Sequence, residues 1–177
     1  MKEFFLKLLS DIPVKVVSSL VFLYVALILL RPWIKITPFI CKDLKDSEPY
    51  RIKIVNRSWF SAIDVKIEMN VLERRPTPPT GMMNELYSPL TVKYSHLFYL
   101  PAYRPRWWRK EARHALRVKP LDDLQEILSS GNKTVQIKVS CKHGLGGLTK
   151  VFMQEYSDLS QIKDGRYTYG TKFDVLY

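Results

Sequence analysis

Residues 16–30 read VVSSLVFLYVALILL, an uninterrupted uncharged run held between Lys15 and Arg31. A helix made of this run has no polar face to present to water, which is atypical of a helix on a soluble protein. With its flanking residues it gives about 27 Å of helix, close to the hydrocarbon thickness of a bilayer if the flanking cations snorkel. The sequence therefore predicts one short transmembrane helix over residues 14–36.

A buried soluble helix and a cleaved signal peptide are the alternatives to a membrane span. Lys2 and Lys7 could form the positive start of a signal peptide. However, the run is followed by RPWIK at 31–35, which has no small-residue cleavage pattern and carries cations and an indole suited to the headgroup layer. These features favour a retained, single-pass anchor.

Residues 1–13 predict an interfacial amphipathic segment, because Phe4, Phe5, Leu8 and Leu9 share one helical face. Within the span, small, hydroxyl and basic side chains share one stripe, whereas the opposite side is aliphatic and aromatic. Such a stripe suits either a lipid-facing anchor or a helix–helix seam that lines a pore made by several copies. The candidate pore-lining residues are Lys15, Ser18, Ser19, Phe22 and Ala26, with Arg31 and Lys35 at a pore mouth.

Beyond the span the hydrophobic period changes to two. Alternating runs at 50–54, 63–71, 135–141 and 148–156 predict antiparallel strands with one solvated face, and Pro120 and Gly131 bound one short helix near 121–128. The run RRPTPPTGMMN at 74–84 predicts a loop. The predicted fold is a single N-terminal transmembrane helix followed by an all-β, immunoglobulin-like sandwich over residues 37–177.

The chain carries 28 Lys and Arg against 17 Asp and Glu, a formal net charge of +11. This excess predicts an anionic neighbour, either nucleic acid or the cytoplasmic leaflet. Cations are slightly more frequent after the span than before it, which favours a cytosolic location for the β domain. Cys41 and Cys141 are too few for a disulfide scaffold and are expected to be buried thiols.

The strand half resembles the cytoplasmic domain of inward-rectifier potassium channels. The resemblance rests on the strand at 51–57, the long strand at 62–72, the helix start Pro120-Leu121, and the closing run through Gly165, Tyr169 and Phe173. It implies an immunoglobulin-like fold. A pore helix and a TVGYG-type filter are absent from the sequence, so the resemblance does not extend to selective potassium conduction.

The segment YRPRWWRKEARH at 103–114 combines a basic and aromatic surface with an Arg-x4-His pair, Arg109 and His114. A HEPN-type ribonuclease would use such a pair to hold a phosphate and move protons, but HEPN domains are helical bundles and this neighbourhood is strand-rich. Stacking on RNA, the headgroup layer and a protein interface all suit the rest of the surface. Its members are Arg104, Arg106, Trp107, Trp108, Lys110 and Arg113.

A single N-terminal span, a basic domain of this size and the Arg-x4-His pair together resemble the small accessory membrane proteins of type VI-B CRISPR loci. This resemblance implies a homo-oligomeric ring of four or more copies that opens a pore in membrane lipid during antiphage defence, in functional coupling with an RNA-guided RNA-targeting effector. A membrane-tethered adaptor and a HEPN-type ribonuclease are the alternatives, and direct RNA binding stays open.

The sequence gives little support for a metal site, a nucleotide site or a catalytic nucleophile. His96, His114 and His143 are far apart in sequence, and no Cys-x-x-Cys occurs. The run GLGG at 144–147 lacks the Lys-Ser/Thr of a phosphate cradle and suits a hairpin turn. We therefore expect no enzyme activity, no metal and no cofactor.

Overall fold

The computed structural model describes the backbone of residues 2–77, 82–104 and 112–176, and their side chains except at 2–13, 76–77 and 82–83. The chain divides into two compact units, Met1–Arg31 and Pro32–Tyr177. The elements are, in chain order, α1 (Lys2–Leu29), β1 (Ile34–Ile36), β2 (Ile40–Lys42), β3 (Tyr50–Asn56), β4 (Ala62–Thr77), β5 (Met82–Leu90), β6 (His96–Leu100), β7 (Ala115–Val118), α2 (Leu124–Ser129), β8 (Lys133–His143), β9 (Thr149–Tyr156), a 3₁₀ helix (Leu159–Gln161), β10 (Ile162–Asp164), β11 (Arg166–Tyr167) and β12 (Val175–Leu176). The predicted order, an N-terminal helix and then mostly antiparallel sheet, is confirmed.

Helix α1 differs from the prediction at both ends. It is one helix from Lys2, continuous through Pro13, rather than a separate interfacial segment and span. It ends at Leu29 because Pro32 disfavours helical backbone at the residue before it. Residues 34–36, predicted as the end of the span, instead form β1. Within the part of the chain that the structure describes, no helix combines the length and hydropathy required to cross a membrane.

One sheet is organised around β4, the longest strand. One edge of β4 pairs with β8, and the other pairs with β6 near its start and with β5 towards its end. Strand β9 pairs with β8 and completes five strands. The predicted alternation is confirmed along β4, where Val65, Ile67 and Met69 are buried while Lys66 and Glu68 are exposed.

The second five-stranded sheet surrounds β3, which pairs with β1 and β2 on one side and with β7 on the other. Strand β10 adds to β2 in parallel, the exception to the antiparallel pattern. Strands β11 and β12 form a separate antiparallel pair. Asp123 caps α2, since its carboxylate accepts hydrogen bonds from the amides of Gln125 and Glu126.

The inward faces of the two sheets share one hydrophobic core. Tyr156 of β9 is fully buried, and its hydroxyl donates to the carbonyl oxygen of Thr37 at 2.7 Å, which links the sheets. Cys41 and Cys141 are buried free thiols, as expected. The largest fully buried apolar side chains are Ile40, Ile52, Ile54, Val55, Val65, Ile67, Met69, Leu124, Ile137 and Tyr156.

The predicted loop at 74–84 is wrong over most of its length. Strand β4 runs to Thr77 and β5 begins at Met82, with Pro76 opposite Met83. The pairing of β4 with β8 stops at Glu73, so beyond that residue the second edge of β4 has no ladder that a proline could interrupt. Pro89 is tolerated for the same reason, because β5 pairs only with β4 among the described strands.

Asn56, at the end of β3, satisfies backbone groups of the loops that close this end of the sandwich. Its Nδ2 donates to the carbonyl oxygens of Phe60 at 3.1 Å and Pro101 at 2.9 Å. Its Oδ1 accepts from the amide of Ser58 at 2.9 Å. Because the side chain is fully buried, no water can replace these bonds.

Asn56→Ala is therefore expected to lower the free energy of unfolding by about 3 kcal/mol, since it leaves buried donors and acceptors without partners. Urea denaturation followed by tryptophan fluorescence measures this. The matched control is Asn84→Ala, an exposed position on β5, which should change stability by less than about 0.5 kcal/mol. Equal effects of the two substitutions would contradict this role for Asn56.

Candidate functional site

The predicted pore-lining residues lie on one face of α1. Phe22 is 75% exposed, Lys15, Ser18 and Ser19 are exposed, and Ala26 is half-buried. The hydroxyl of Ser18 donates to the carbonyl oxygen of Val14 at 2.8 Å, so it is satisfied within the helix. A serine bonded in this way needs no water or partner helix at its hydroxyl.

The rest of the described part of α1 is as apolar as this face and equally exposed. Large apolar side chains cover the whole circumference, and no charged residue lies between Lys15 and Arg31. Monomeric soluble proteins rarely expose a contiguous apolar surface of this kind. The large apolar residues of α1 with high exposure are Val14, Val16, Val17, Leu20, Val21, Phe22, Leu23, Tyr24, Val25, Ile28 and Leu29.

The two residues predicted at a pore mouth belong to different units. Arg31 follows the end of α1, where its amide donates to the carbonyl oxygen of Ile28 at 3.3 Å. Lys35 lies on β1 opposite Val55, and its Nζ lies 5.7 Å from the ring centroid of Phe173. Lys35 is therefore a residue of the β domain and not of the helix.

Most of the predicted basic and aromatic surface lies outside the described residues. Arg106, Trp107, Trp108, Arg109 and Lys110 fall in the gap at 105–111. Arg104 and Arg113, which border this gap, are both exposed.

His114, the other half of the predicted Arg-x4-His pair, is buried in the β domain. Its ring packs edge-on against Tyr103, with 5.2 Å between centroids, and its carbonyl oxygen accepts from the amide of Asn56 at 2.9 Å. Burial, with the nearby charges of Lys53 and Arg57, lowers the pKa of the imidazole. A neutral, enclosed ring is placed to support the fold rather than to move protons at a surface.

A cleft of about 640 Å³ opens beside this histidine, between β7 and the turn at 168–170. Three cations contribute to its wall, and no acidic residue lines it among the described residues. We call it the cationic cleft. Its lining residues are Lys53, Ala112, Arg113, Ala115, Leu116, Arg117, Thr168, Tyr169 and Gly170.

Lys53 is the most buried of these cations, with 1% of its surface exposed. Its Nζ donates to the carbonyl oxygens of Thr168 and Lys172, each at 2.7 Å, and lies 5.9 Å from the ring centroid of Tyr167. Burial, reinforced by the charge of Arg117, lowers the pKa of Lys53 to about 8. The ammonium therefore holds the 168–172 segment against β3 while staying close to its titration point.

Arg117 and Tyr169 form the outer wall of the cleft. The Nη2 of Arg117 donates to the carbonyl oxygen of Tyr167 at 3.2 Å, and its guanidinium lies 5.2 Å from the ring centroid of Tyr169. The Tyr169 side chain is 87% exposed. Gly170, at φ +90°, supplies the backbone conformation that turns the chain at this point.

Sequence reasoning missed the cationic cleft. It placed Lys53 on the solvated face of a strand, because Arg51 and Lys53 alternate with apolar residues. That interpretation is wrong for Lys53, since the covering residues 168–172 arrive from more than a hundred positions further along the chain. The local pattern of β3 contains no signal of this cover.

Some of the other surface cations are engaged by carboxylates. Asp46 accepts hydrogen bonds from Arg51 and Lys119, Glu48 pairs with Lys93 and Lys119, and Asp64 pairs with Lys142. Lys119, and then Arg51, hold the pKa of Asp46 well below its usual range. The described residues contain no group of three His, Cys, Asp or Glu that could hold a metal ion.

No protein-family model matches this chain, and the search of curated proteins also finds no match. Its chemistry therefore has to be argued from the residues described above.

The lowered pKa of Lys53 predicts a pH dependence of stability. Between about pH 8 and pH 10.5 the folded protein carries a neutral amine while the unfolded chain carries a charged one, so the unfolded state binds more protons and raising the pH favours the folded state. The difference in unfolding free energy between the wild type and Lys53→Met should grow by about 2–3 kcal/mol across this window.

Denaturant unfolding at a series of pH values measures that difference. Lys163→Met is the matched control, because Lys163 is an exposed lysine that also lies near an aromatic ring, that of Phe39. Its difference from the wild type at each pH is the baseline for the Lys53→Met series. A difference for Lys53→Met that only follows this baseline would show that its amine titrates alike in the folded and unfolded chain.

Proposed function

We propose that this protein is a pore-forming membrane effector, in which helix α1 from several copies inserts into a bilayer and surrounds a water-filled path. The observation that carries the proposal is the exposed apolar surface around the described part of α1, residues 14–29. In the proposed setting the copies form a ring of four or more in a bacterial inner membrane, with the immunoglobulin-like β domains in the cytosol. Opening the path dissipates the membrane potential during CRISPR-associated antiphage defence.

The length of the uncharged run within α1 favours association of copies. This run, residues 16–29, is about 21 Å long, shorter than the roughly 30 Å hydrocarbon core. A short apolar helix is accommodated by local thinning of the bilayer, by snorkelling of flanking cations and by oligomerisation. Lys15 and Arg31 are placed at the two ends of the run for such snorkelling.

The distribution of polar side chains around α1 selects the face that lines the path. Lys15 is costly in lipid, and small hydroxyl residues such as Ser18 and Ser19 allow close approach of neighbouring helices, so this face turns towards water or towards other copies. Leu20, Tyr24 and Ile28 lie on the opposite face and suit lipid. One helix encloses nothing, so a path requires several copies.

The same residues predict the character of the conductance. Copies of Lys15 and Arg31 would form cationic rings near the two ends of the path, and copies of Phe22 would narrow it. Cationic rings disfavour cation passage, and no filter of backbone carbonyls is proposed. The path is thus wide and poorly selective.

A membrane-tethered adaptor without a pore is the second candidate. The hydrogen bond from Ser18 to the carbonyl oxygen of Val14 favours it, because this serine is already satisfied within its own helix and can face lipid. An adaptor would be a monomer or dimer in lipid and would cause no leak.

The test is dye release from vesicles that contain the full-length chain. Ser18→Leu with Ser19→Leu is expected to reduce release to that of protein-free vesicles, because leucine removes the polar lining and fills the path. The matched control, Val17→Leu with Val21→Leu, adds apolar volume to the opposite face and should leave release unchanged.

Particle mass in lipid nanodiscs separates the candidates. Four or more copies are expected for a pore, whereas monomers would contradict it. Release that Ser18→Leu with Ser19→Leu does not reduce would show that this face is not the lining.

A further inference from the structure

At the cationic cleft, Lys53 and Arg117 form no ion pair with a described carboxylate, whereas Arg51, Lys93, Lys119 and Lys142 each do elsewhere on the β domain. Asp174 acts on Lys53 only at longer range. A concave site with several cations and no acidic lining residue, among the residues described, favours an anionic ligand.

The hydrogen-bond donors at the cleft are held in place by contacts with the protein, and some of their N–H groups have no described acceptor. The ammonium of Lys53 has three donors, of which two are used on the carbonyl oxygens of Thr168 and Lys172. The guanidinium of Arg117 has five, and one bond to Tyr167 is described. Donors fixed in this way lose little entropy when they bind phosphate oxygens.

An independent observation comes from Thr168, another lining residue. Its hydroxyl oxygen is buried and has no hydrogen-bond partner. A buried hydroxyl without a partner is costly, so a ligand that reaches this oxygen gains a hydrogen bond that the described protein does not supply.

The size of the cleft and its aromatic wall narrow the ligand class. At about 640 Å³ the cleft lies in the usual range for small-molecule sites and exceeds what an inorganic phosphate fills. The exposed ring of Tyr169 lies beside the cations and against Arg117, an arrangement that suits stacking with a planar base.

We propose that the cationic cleft binds a small nucleotide. Its phosphate contacts Lys53, Arg117 and the hydroxyl of Thr168, and its base packs against Tyr169. The site lies wholly within the β domain and does not depend on any pore. Binding would join the 168–172 segment to β3 and β7 more firmly than the protein does alone.

Isothermal titration calorimetry of the full-length chain in detergent, in a buffer free of phosphate, tests this proposal. The probes are adenosine monophosphate, ribose 5-phosphate, inorganic phosphate and adenosine. Adenosine monophosphate is expected to bind most tightly, ribose 5-phosphate and inorganic phosphate more weakly, and adenosine not measurably.

Two variants at solvent-accessible positions keep the test independent of the buried Lys53. Arg117→Gln should weaken the binding of adenosine monophosphate about tenfold, because a charge-assisted hydrogen bond is lost. Tyr169→Ala should weaken the binding of adenosine monophosphate about tenfold or more, because stacking is lost. The affinity for ribose 5-phosphate should stay unchanged. The matched controls are Arg75→Gln and Tyr94→Ala, exposed positions outside the cleft that should leave every affinity unchanged.

Three results would overturn the proposal. One is the absence of binding by every phosphate-bearing probe, and another is equal weakening by the control variants. The third is strongly salt-dependent binding of a single-stranded RNA hexanucleotide, more than about a hundredfold tighter than that of the mononucleotide. Such binding would make the cleft part of an RNA groove.

Discussion

The cost of leaving an apolar helix in water is the constraint on which the proposed function of this protein depends. Burial of a large aliphatic or aromatic side chain is worth about 1.5–3 kcal/mol, and the described part of α1 exposes many of them on every side. No amphipathic docking onto one surface can cover a helix that is apolar all round. In the proposed pore, lipid and neighbouring copies would surround the helix and cover this surface.

In the β domain, the same residues stabilise the fold and form the candidate site. Strand β3 is buried along most of its length and carries both Lys53 and Asn56. Asn56 holds the loops at one end of the strand, while Lys53 holds the late 168–172 segment across its face. The cationic cleft is a consequence of that second contact, since the segment that covers Lys53 also contributes Thr168 and Tyr169 to the wall.

Residues with strict alternation could be predicted from the sequence, and residues whose surroundings come from distant segments could not. The strands around 63–71 and 135–141 follow from local period, and a short helix near 121–128 follows from Pro120 and Gly131, although the helix begins only at Leu124. Strand β1 did not, because three residues after an apolar run carry no period of their own. Lys53 was misplaced because a strand pattern reports one covered face, whereas β3 is covered on both. The burial of His114 became evident only from the packing of Tyr103.

Flotation of the full-length chain with vesicles of phosphatidylethanolamine and phosphatidylglycerol, at low salt and at about 1 M salt, addresses the environment of α1 itself. High salt screens the attraction between a chain of net charge +11 and anionic lipid, but it does not weaken insertion of an apolar helix. The protein should float with the vesicles at both salt concentrations. If it floats only at low salt and stays at high salt as a soluble monomer, α1 is not embedded in lipid and the pore has no basis.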